Sequence, residues 1–236
     1  PAFLGSSFAF LGGFQAVSEL NVGKFADMTG AEKLPYAMGG IVVAGVMYIL
    51  VALLFKIVGA RKVMRFFPPI VTGPVIIAIG LTLAGTAIDS CTSNWLVALA
   101  AILVVVICNV WGKGMIKIVP ILLGVVASYL FAMVVDPAAQ ANVAATVAAA
   151  DWFGFPVIWE NTALSIFNEN LDTGMLLTAV VTIVPIALAT IVEHTGDMCA
   201  ISSTVGKNYV KDPGLHRTLV GDGLATAMSA LFGGPA

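Results

Sequence analysis

The feature that most constrains this chain is a pair of acidic residues inside a long apolar stretch. The stretch runs from about Gly174 to Val205 and contains Glu193 and Asp197. Residues four positions apart share one face of a helix, so both carboxyl groups point the same way. A charged side chain at the centre of a bilayer costs at least about 2.5–3.5 kcal/mol on insertion scales. This face is therefore expected to contact protein or a water-filled cavity instead of lipid.

The depth of the acidic pair favours a binding or ion site over a purely structural pair, although both interpretations stay open. The first basic residue after the pair is Lys207, fourteen positions beyond Glu193. At 1.5 Å per residue the two are about 21 Å apart along a helix. In a hydrocarbon core about 30 Å thick, Glu193 is expected near the middle of the bilayer.

The composition is that of an integral membrane protein. Of the 236 residues, 59% are hydrophobic and 10% are charged, and the mean hydropathy is +1.01. Soluble domains have about 25% charged residues. No basic face suited to nucleic acid is present. The cysteines and histidines lack metal-site spacing, and no nucleophile or phosphate-loop motif points to an enzyme. Because the chain begins at Pro1, we expect it to be part of a longer transporter.

Hydropathy predicts six membrane spans and one broken segment. Residues 1–20 are apolar but interrupted by glycines, which fits either an extended piece with a half-helix or a poorly formed re-entrant stretch. The polar segment 136–172 is expected to hold short interfacial helices and loops. Asp212 is expected to cap the last span. The predicted spans are about 36–58, 67–88, 95–111, 115–135, 174–205 and 213–232.

Basic residues are concentrated on one side of the predicted membrane. If the spans alternate, nine of the eleven lysines and arginines lie on the same side, which the positive-inside rule assigns to the cytoplasm. Asp222 lies inside the last span and is expected either to pair with a neighbouring helix or to support the acidic pair. His216, at the start of that span, is expected at an interface and not in catalysis. The nine basic residues are Lys56, Arg61, Lys62, Arg65, Lys113, Lys117, Lys207, Lys211 and Arg217.

Three passages resemble the nucleobase–ascorbate transporter family, and within it the branch that transports uracil. The first is PAFLGSSFAF at 1–10, and the second combines FFPPIVTGP at 66–74 with IVPILLG at 118–124. The third and most specific is EHTGD at 193–197, which is followed by DPGLHR and GDGL. In order and spacing the resemblance spans essentially the whole chain.

The resemblance implies an all-α polytopic membrane protein of fourteen helices in two inverted repeats of seven. This chain would supply the third to ninth helices, with a short strand and half-helix at its N-terminal end. Residues 1–58 and 173–236 would belong to a substrate-holding core domain, 59–135 to a gate domain, and 136–172 to an extracytoplasmic loop. A homodimer in the cytoplasmic (inner) membrane of the cell is also implied.

The resemblance also assigns roles to individual residues. Glu193 would hydrogen-bond the base ring and take part in proton coupling, with Asp197 binding substrate and titrating beside it as a coupled pair. Phe8 would be the strand residue whose backbone N–H meets a substrate carbonyl. Ser7, His194 and Asp222 would support this site. Protons would be the coupling ion, with no cofactor and no metal.

The sequence favours one substrate and leaves others open. Proton-coupled uptake of uracil is the main hypothesis, because a histidine after Glu193 resembles the uracil branch. An aspartate at position 197 is frequent in purine-type members, so xanthine or another purine is an alternative. A sulfate-permease type of anion transporter is a second alternative, which the two acids argue against. The family's second signature, with its acidic or amide side chain, would lie beyond Ala236.

Overall fold

The computed structural model describes residues 7–59, 62, 65, 68–150, 152–154, 157–167 and 172–234. Among these residues all regular elements are helical, which confirms the predicted all-α class. Single turns of 3₁₀ helix occur at Gly23–Asp27, Trp159–Asn161 and Ala163–Phe167, and a kinked π segment lies at Val210–Gly214. The α-helices are α1 (Ala9–Ser18), α2 (Gly30–Val58), α3 (Pro69–Cys91), α4 (Trp95–Trp111), α5 (Met115–Ile118), α6 (Pro120–Val135), α7 (Pro137–Ala149), α8 (Thr173–Val205) and α9 (Leu215–Leu231).

Helices lie at all six positions where the sequence predicts a span. Three of them are long and apolar enough to cross a membrane on their own, namely α2, α8 and residues Ile70–Cys91 of α3. The helices α6 and α7 reach that length only as a pair, and the pair is bent by 108°. The chain is therefore a multi-pass membrane protein. The ten-residue α1 lies where the half-helix interpretation places a short helix, and the strand before it stays a prediction.

Two helix starts differ from the sequence prediction. The helix α2 begins at Gly30, six residues before the predicted span, because Thr29 and Glu32 form a reciprocal capping box. The prediction that Asp212 caps the last helix is wrong. Asp212 is extended (φ −138°, ψ 115°), Gly214 has a φ of +99°, and α9 begins at Leu215 without a side-chain cap.

The chain divides into two compact units. One comprises Pro1–Leu81 with Phe155–Ala236, and the other comprises Thr82–Gly154. The first unit contains α1, α2, α8 and α9, and most of the buried apolar side chains belong to it. The division into core domain, gate domain and extracytoplasmic loop stays a prediction, as does the inverted repeat.

Two glycines bring the backbones of α2 and α9 into direct contact. A Cβ atom built on Gly45 would lie 2.6 Å from the carbonyl oxygen of Gly223, and one built on Gly223 would lie 2.7 Å from the carbonyl oxygen of Gly45. Membrane helices use small residues in this way, because close backbone approach increases dispersion contacts where lipid provides no hydrophobic drive. Tyr48, one turn after Gly45, is 2% exposed and packs against Gly223.

The connector between α1 and α2 is joined to the start of α8. Asp172 caps α8 by accepting hydrogen bonds from the N–H groups of Gly174 and Met175. Its other oxygen lies 2.6 Å from Nζ of Lys24, in the connector. The hydrogen bond from Lys24 lowers the pKa of Asp172, and the same hydrogen bond raises the pKa of Lys24. Lys24 is exposed, so this ion pair contributes little to stability.

The second unit is organised by two linked helix caps. Asn94 caps α4 through hydrogen bonds from Leu96 and Val97, and Asp136 caps α7 through its Oδ1 atom. The Asn94 side-chain amide donates to Oδ2 of Asp136 at 2.9 Å, so the residues that cap the two helices are hydrogen-bonded to each other. The helices α4 and α6 pack where Gly124 leaves room for Val105.

Replacing Gly223 by alanine is expected to destabilise the protein. The added methyl group would lie 2.6 Å from Cβ of Tyr48 and 2.7 Å from the carbonyl oxygen of Gly45, and neither atom is the end of a flexible side chain. Overpacking of this kind costs roughly 1–3 kcal/mol, and the melting temperature of the purified protein in detergent measures it. The matched control is Gly221→Ala, because nothing lies within 4 Å of a Cβ at Gly221. Equal melting temperatures for the two variants would contradict the backbone contact.

Candidate functional site

The EHTGD motif forms one and a half turns of α8, and its side chains point to different neighbours. Thr195 is fully buried, and its hydroxyl donates to the carbonyl of Ile191 one turn earlier. Gly196 faces α3, where a Cβ would lie 2.8 Å from Cδ1 of Ile76. Glu193 and Asp197 are partly buried and share a face, as their spacing predicts. The motif therefore packs α8 against its neighbours on one side and presents two carboxyl groups on another.

Glu193 meets the start of α1. The hydroxyl of Ser7 donates a hydrogen bond to Oε2 of Glu193 at 2.9 Å, across 186 positions of sequence. The same hydroxyl accepts a hydrogen bond from the backbone N–H of Ala9, the first residue of α1, at 3.3 Å. The first N–H groups of a helix lack intrahelical partners, and the positive end of the helix dipole lies there. The Glu193 carboxyl group and the N-terminal end of α1 are thus brought together.

Phe8 lies at this junction but not in a strand. Its dihedral angles are φ −62° and ψ −17°, so it has a helical conformation and serves as the N-cap of α1. The predicted strand therefore does not extend to Phe8, because α1 begins directly after it, and residues 1–6 lie outside the described residues. The Phe8 side chain is 67% exposed, so any contact to a ligand would involve its backbone or one ring face.

Asp197 is the second carboxyl group on the Glu193 face. It lies one turn further along α8 and is partly buried. Within the described ranges no hydrogen-bond donor or cation contacts it, in contrast to Glu193. An acidic group so placed has its acceptor atoms available for the N–H of a ligand or for a proton.

His194 turns to the opposite side and joins α8 to α9. Its side chain is 3% exposed, and Nδ1 lies 2.9 Å from Oδ2 of Asp222. Its Nε2 lies 3.0 Å from the hydroxyl of Thr218, one turn before Asp222 on α9. These two contacts fix the orientation of the imidazole ring. Asp222 is therefore the partner of His194, which directly follows Glu193 in α8.

Two partners of α8, Tyr48 and Thr218, are absent from the sequence prediction. The Tyr48 hydroxyl of α2 donates to the hydroxyl of Thr190, which in turn donates to the carbonyl of Ala187. Thr190 lies one turn before Glu193, so this contact fixes the same part of α8 from a third direction. Thr218 could have been found, since it lies four residues before Asp222 on one helix face. A lone tyrosine in an apolar span gives no comparable signal.

The arrangement suits a small polar ligand. The site offers carboxylate acceptors from α8 beside the backbone at the start of α1. A planar ligand with both N–H and C=O groups is complementary to such a set. In the part of the chain that the structure describes, no group of three histidine, cysteine or acidic side chains is placed to hold a metal ion.

Comparison with known proteins identifies the family. A family model described as a permease family, Xan_ur_permease, matches residues 1–236. The chain is 38% identical over 244 residues to the uracil permease of Bacillus caldolyticus, covering 100% of this chain and 52% of that relative. It is 34% identical to the uracil permease of Bacillus subtilis, with 100% and 52% coverage. It is 32% identical to that of Escherichia coli K12, with 99% and 50% coverage.

The chain spans about half the length of the curated relatives it matches. The match nevertheless covers essentially all of its own residues, including the start of α1, the acidic pair of α8 and the histidine partner on α9. The chain belongs to the nucleobase–ascorbate transporter family of permeases.

Proposed function

We propose that the protein containing this chain takes up uracil together with protons across the cytoplasmic (inner) membrane. The observation that carries the proposal is the Ser7–Glu193 hydrogen bond, which joins the carboxyl group of α8 to the start of α1. The relatives named above are uracil permeases, and this supports a nucleobase as substrate. As a member of a permease family, the chain is part of a transporter and not an enzyme.

The chemistry of the site matches uracil group by group. Uracil has ring N–H donors and carbonyl acceptors. The Glu193 carboxylate would accept from a ring N–H, and the backbone N–H of Phe8 would donate to a carbonyl. Half-helix ends near mid-membrane are a recurring place for substrate sites in transporters. Helix α8 has 33 residues, about 50 Å at 1.5 Å per residue, so Glu193 can lie deep in the bilayer.

Proton coupling would follow from the two carboxyl groups. Glu193 and Asp197 are one turn apart, so loss of a proton from one opposes loss from the other and the pair titrates as a unit. A proton on the pair and a bound base would together favour one conformation of the transporter. Proton release and base release would then occur on the cytoplasmic side. His194, Asp222 and Thr218 would hold α8 in place during this cycle. A homodimer is part of the same proposal.

Xanthine or another purine is the second candidate substrate, and one observation favours it. Asp197 has no hydrogen-bond partner within the described ranges, so a larger base could reach both acids. A sulfate-permease type of transport is no longer supported. The relatives carry the name uracil permease, and two carboxyl groups facing the site would repel a sulfate ion.

Glu193→Gln in the full-length protein is expected to abolish proton-driven uracil uptake. Glutamine keeps the shape and can accept from Ser7, but it cannot take up a proton. A lost hydrogen bond to a charged group is worth about 1.5–3 kcal/mol, which is about 10–150-fold in affinity. Radiolabelled uracil uptake by proteoliposomes with an imposed pH gradient measures the loss. The control is Glu160→Gln, an exposed acid in a short 3₁₀ turn. Undiminished uptake in Glu193→Gln would refute the assigned role.

Substrate choice is tested by competition in the same proteoliposomes. Unlabelled uracil is expected to suppress uptake of labelled uracil at micromolar concentration, while xanthine competes at least tenfold more weakly and sulfate does not compete. A preference for xanthine would reverse the order of the two candidates. Inhibition by sulfate at equal concentration would contradict a nucleobase site.

His194→Ala is expected to destabilise the protein, because it leaves the partly buried Asp222 without its partner. An unsatisfied buried group costs about 1–3 kcal/mol, which lowers the melting temperature and also weakens uracil binding. The milder variant Asp222→Asn keeps a hydrogen-bond acceptor for the imidazole and is expected to lose less. The control is His216→Ala, which lies outside this network. If His194→Ala matched His216→Ala in melting temperature and uracil affinity, the supporting role would be wrong.

A further inference from the structure

Lys33 is a buried lysine beside the C-terminal end of α1. Ser7 lies at the other end of that helix. Lys33 is 4% exposed, although it is a lysine near the start of α2. Its Nζ atom donates to the carbonyl of Ser18 at 2.9 Å and to the carbonyl of Leu20 at 2.8 Å. The last carbonyl groups of a helix lack intrahelical partners, and the negative end of the helix dipole favours a cation there. Lys33 therefore caps α1 from the neighbouring helix.

The helix α1 depends on its neighbours. A helix of ten residues is marginal in isolation. Its buried residues, Phe10, Gly13 and Val17, pack into the unit. A cavity of about 190 Å³, lined in part by Phe14 and Lys33, lies between α1 and α2. The packing beside Lys33 is thus incomplete.

We propose that Lys33 is a positioning residue for the substrate site. By holding the C-terminal end of α1, it sets the place where Ser7 meets Glu193. The helix is about 15 Å long and moves as a rigid rod, so a shift at Ser18 is transmitted to Ser7. A hydrogen bond of 2.9 Å is lost if the shift exceeds about 0.5 Å. The effect on uracil rests on the function proposed above, whereas the effect on α1 does not.

The test compares Lys33→Met with Lys24→Met in the full-length protein. Methionine keeps the length of the side chain but removes the ammonium group. Lys24 is an exposed lysine of the connector between α1 and α2, and its ion pair with Asp172 contributes little. Hydrogen–deuterium exchange reports the opening of α1, and the uracil-dependent rise in melting temperature reports binding. In Lys33→Met we expect at least tenfold faster exchange in α1 and about tenfold weaker uracil binding, with Lys24→Met close to wild type.

A conservative variant keeps the proposal testable if Lys33→Met folds poorly. Lys33→Arg retains a cation and several N–H donors, so we expect it to restore protection of α1 and most of the uracil affinity. Failure of Lys33→Arg to improve on Lys33→Met in either measurement would count against a capping role, because the donors would then be irrelevant.

Each outcome separates the two proposals. Unchanged α1 exchange in Lys33→Met would overturn the inference, and so would faster exchange spread equally over α8 and α9, since Lys33 would then act on stability in general. Loosened α1 with unchanged uracil affinity would also overturn it. If α1 loosens but the wild-type protein shows no uracil-dependent shift, uracil is the wrong ligand, while the capping of α1 by Lys33 stands.

Discussion

The structure depends on how α8 satisfies its polar side chains inside an apolar, membrane-spanning helix. Within two turns, Thr190 is bonded to α2, Glu193 to the start of α1, and His194 to α9. An unpaired polar group in a membrane interior costs several kcal/mol. Each of these side chains therefore requires a neighbour at a defined place. Three helices are thereby fixed around one short part of α8.

Ser7 connects the Glu193 carboxyl group to the backbone of α1. Its hydroxyl accepts a hydrogen bond from the first amide of α1 and donates one to Glu193. A hydrogen bond to a charged acceptor is worth about 1.5–3 kcal/mol and one to a neutral acceptor about 0.5–1.5 kcal/mol. The contact with Ser7 thus strengthens when Glu193 is charged and weakens when it is neutral. The Ser7 side chain therefore couples the charge of Glu193 to how well the first turn of α1 is ordered.

Sequence reasoning predicted the parts of this site that local spacing encodes. The shared face of Glu193 and Asp197 follows from their separation of four, and the half-helix follows from glycines in an apolar stretch. The resemblance placed Ser7 and Phe8 beside Glu193, and the Ser7 contact agrees with that placement. Asp222 pairs with a neighbouring helix through His194, as one of its two open interpretations predicts, and its support of the acidic pair stays a prediction.

The remainder was not predictable because it depends on partners distant in sequence or on alternative turns. Tyr48 and Thr190 are 142 positions apart, and nothing in the pattern of either span indicates the pairing. From the sequence alone Lys33 is expected to be a solvated loop residue, because the start of α2 at Gly30 is not predicted. Asp212 is a residue type that often caps helices, but the chain is kinked there and Gly214 has a positive φ, so the helix begins at Leu215.

The contact between Gly45 and Gly223 has a mechanical consequence. Where two peptide backbones touch without intervening side chains, no rotamer change can absorb relative movement. Helices α2 and α9 therefore form one stiff body, to which α8 is tied by hydrogen bonds. Rearrangements of this unit during a working cycle would then fall on elements outside this body, and α1, with ten residues and a polar contact at each end, is one of them.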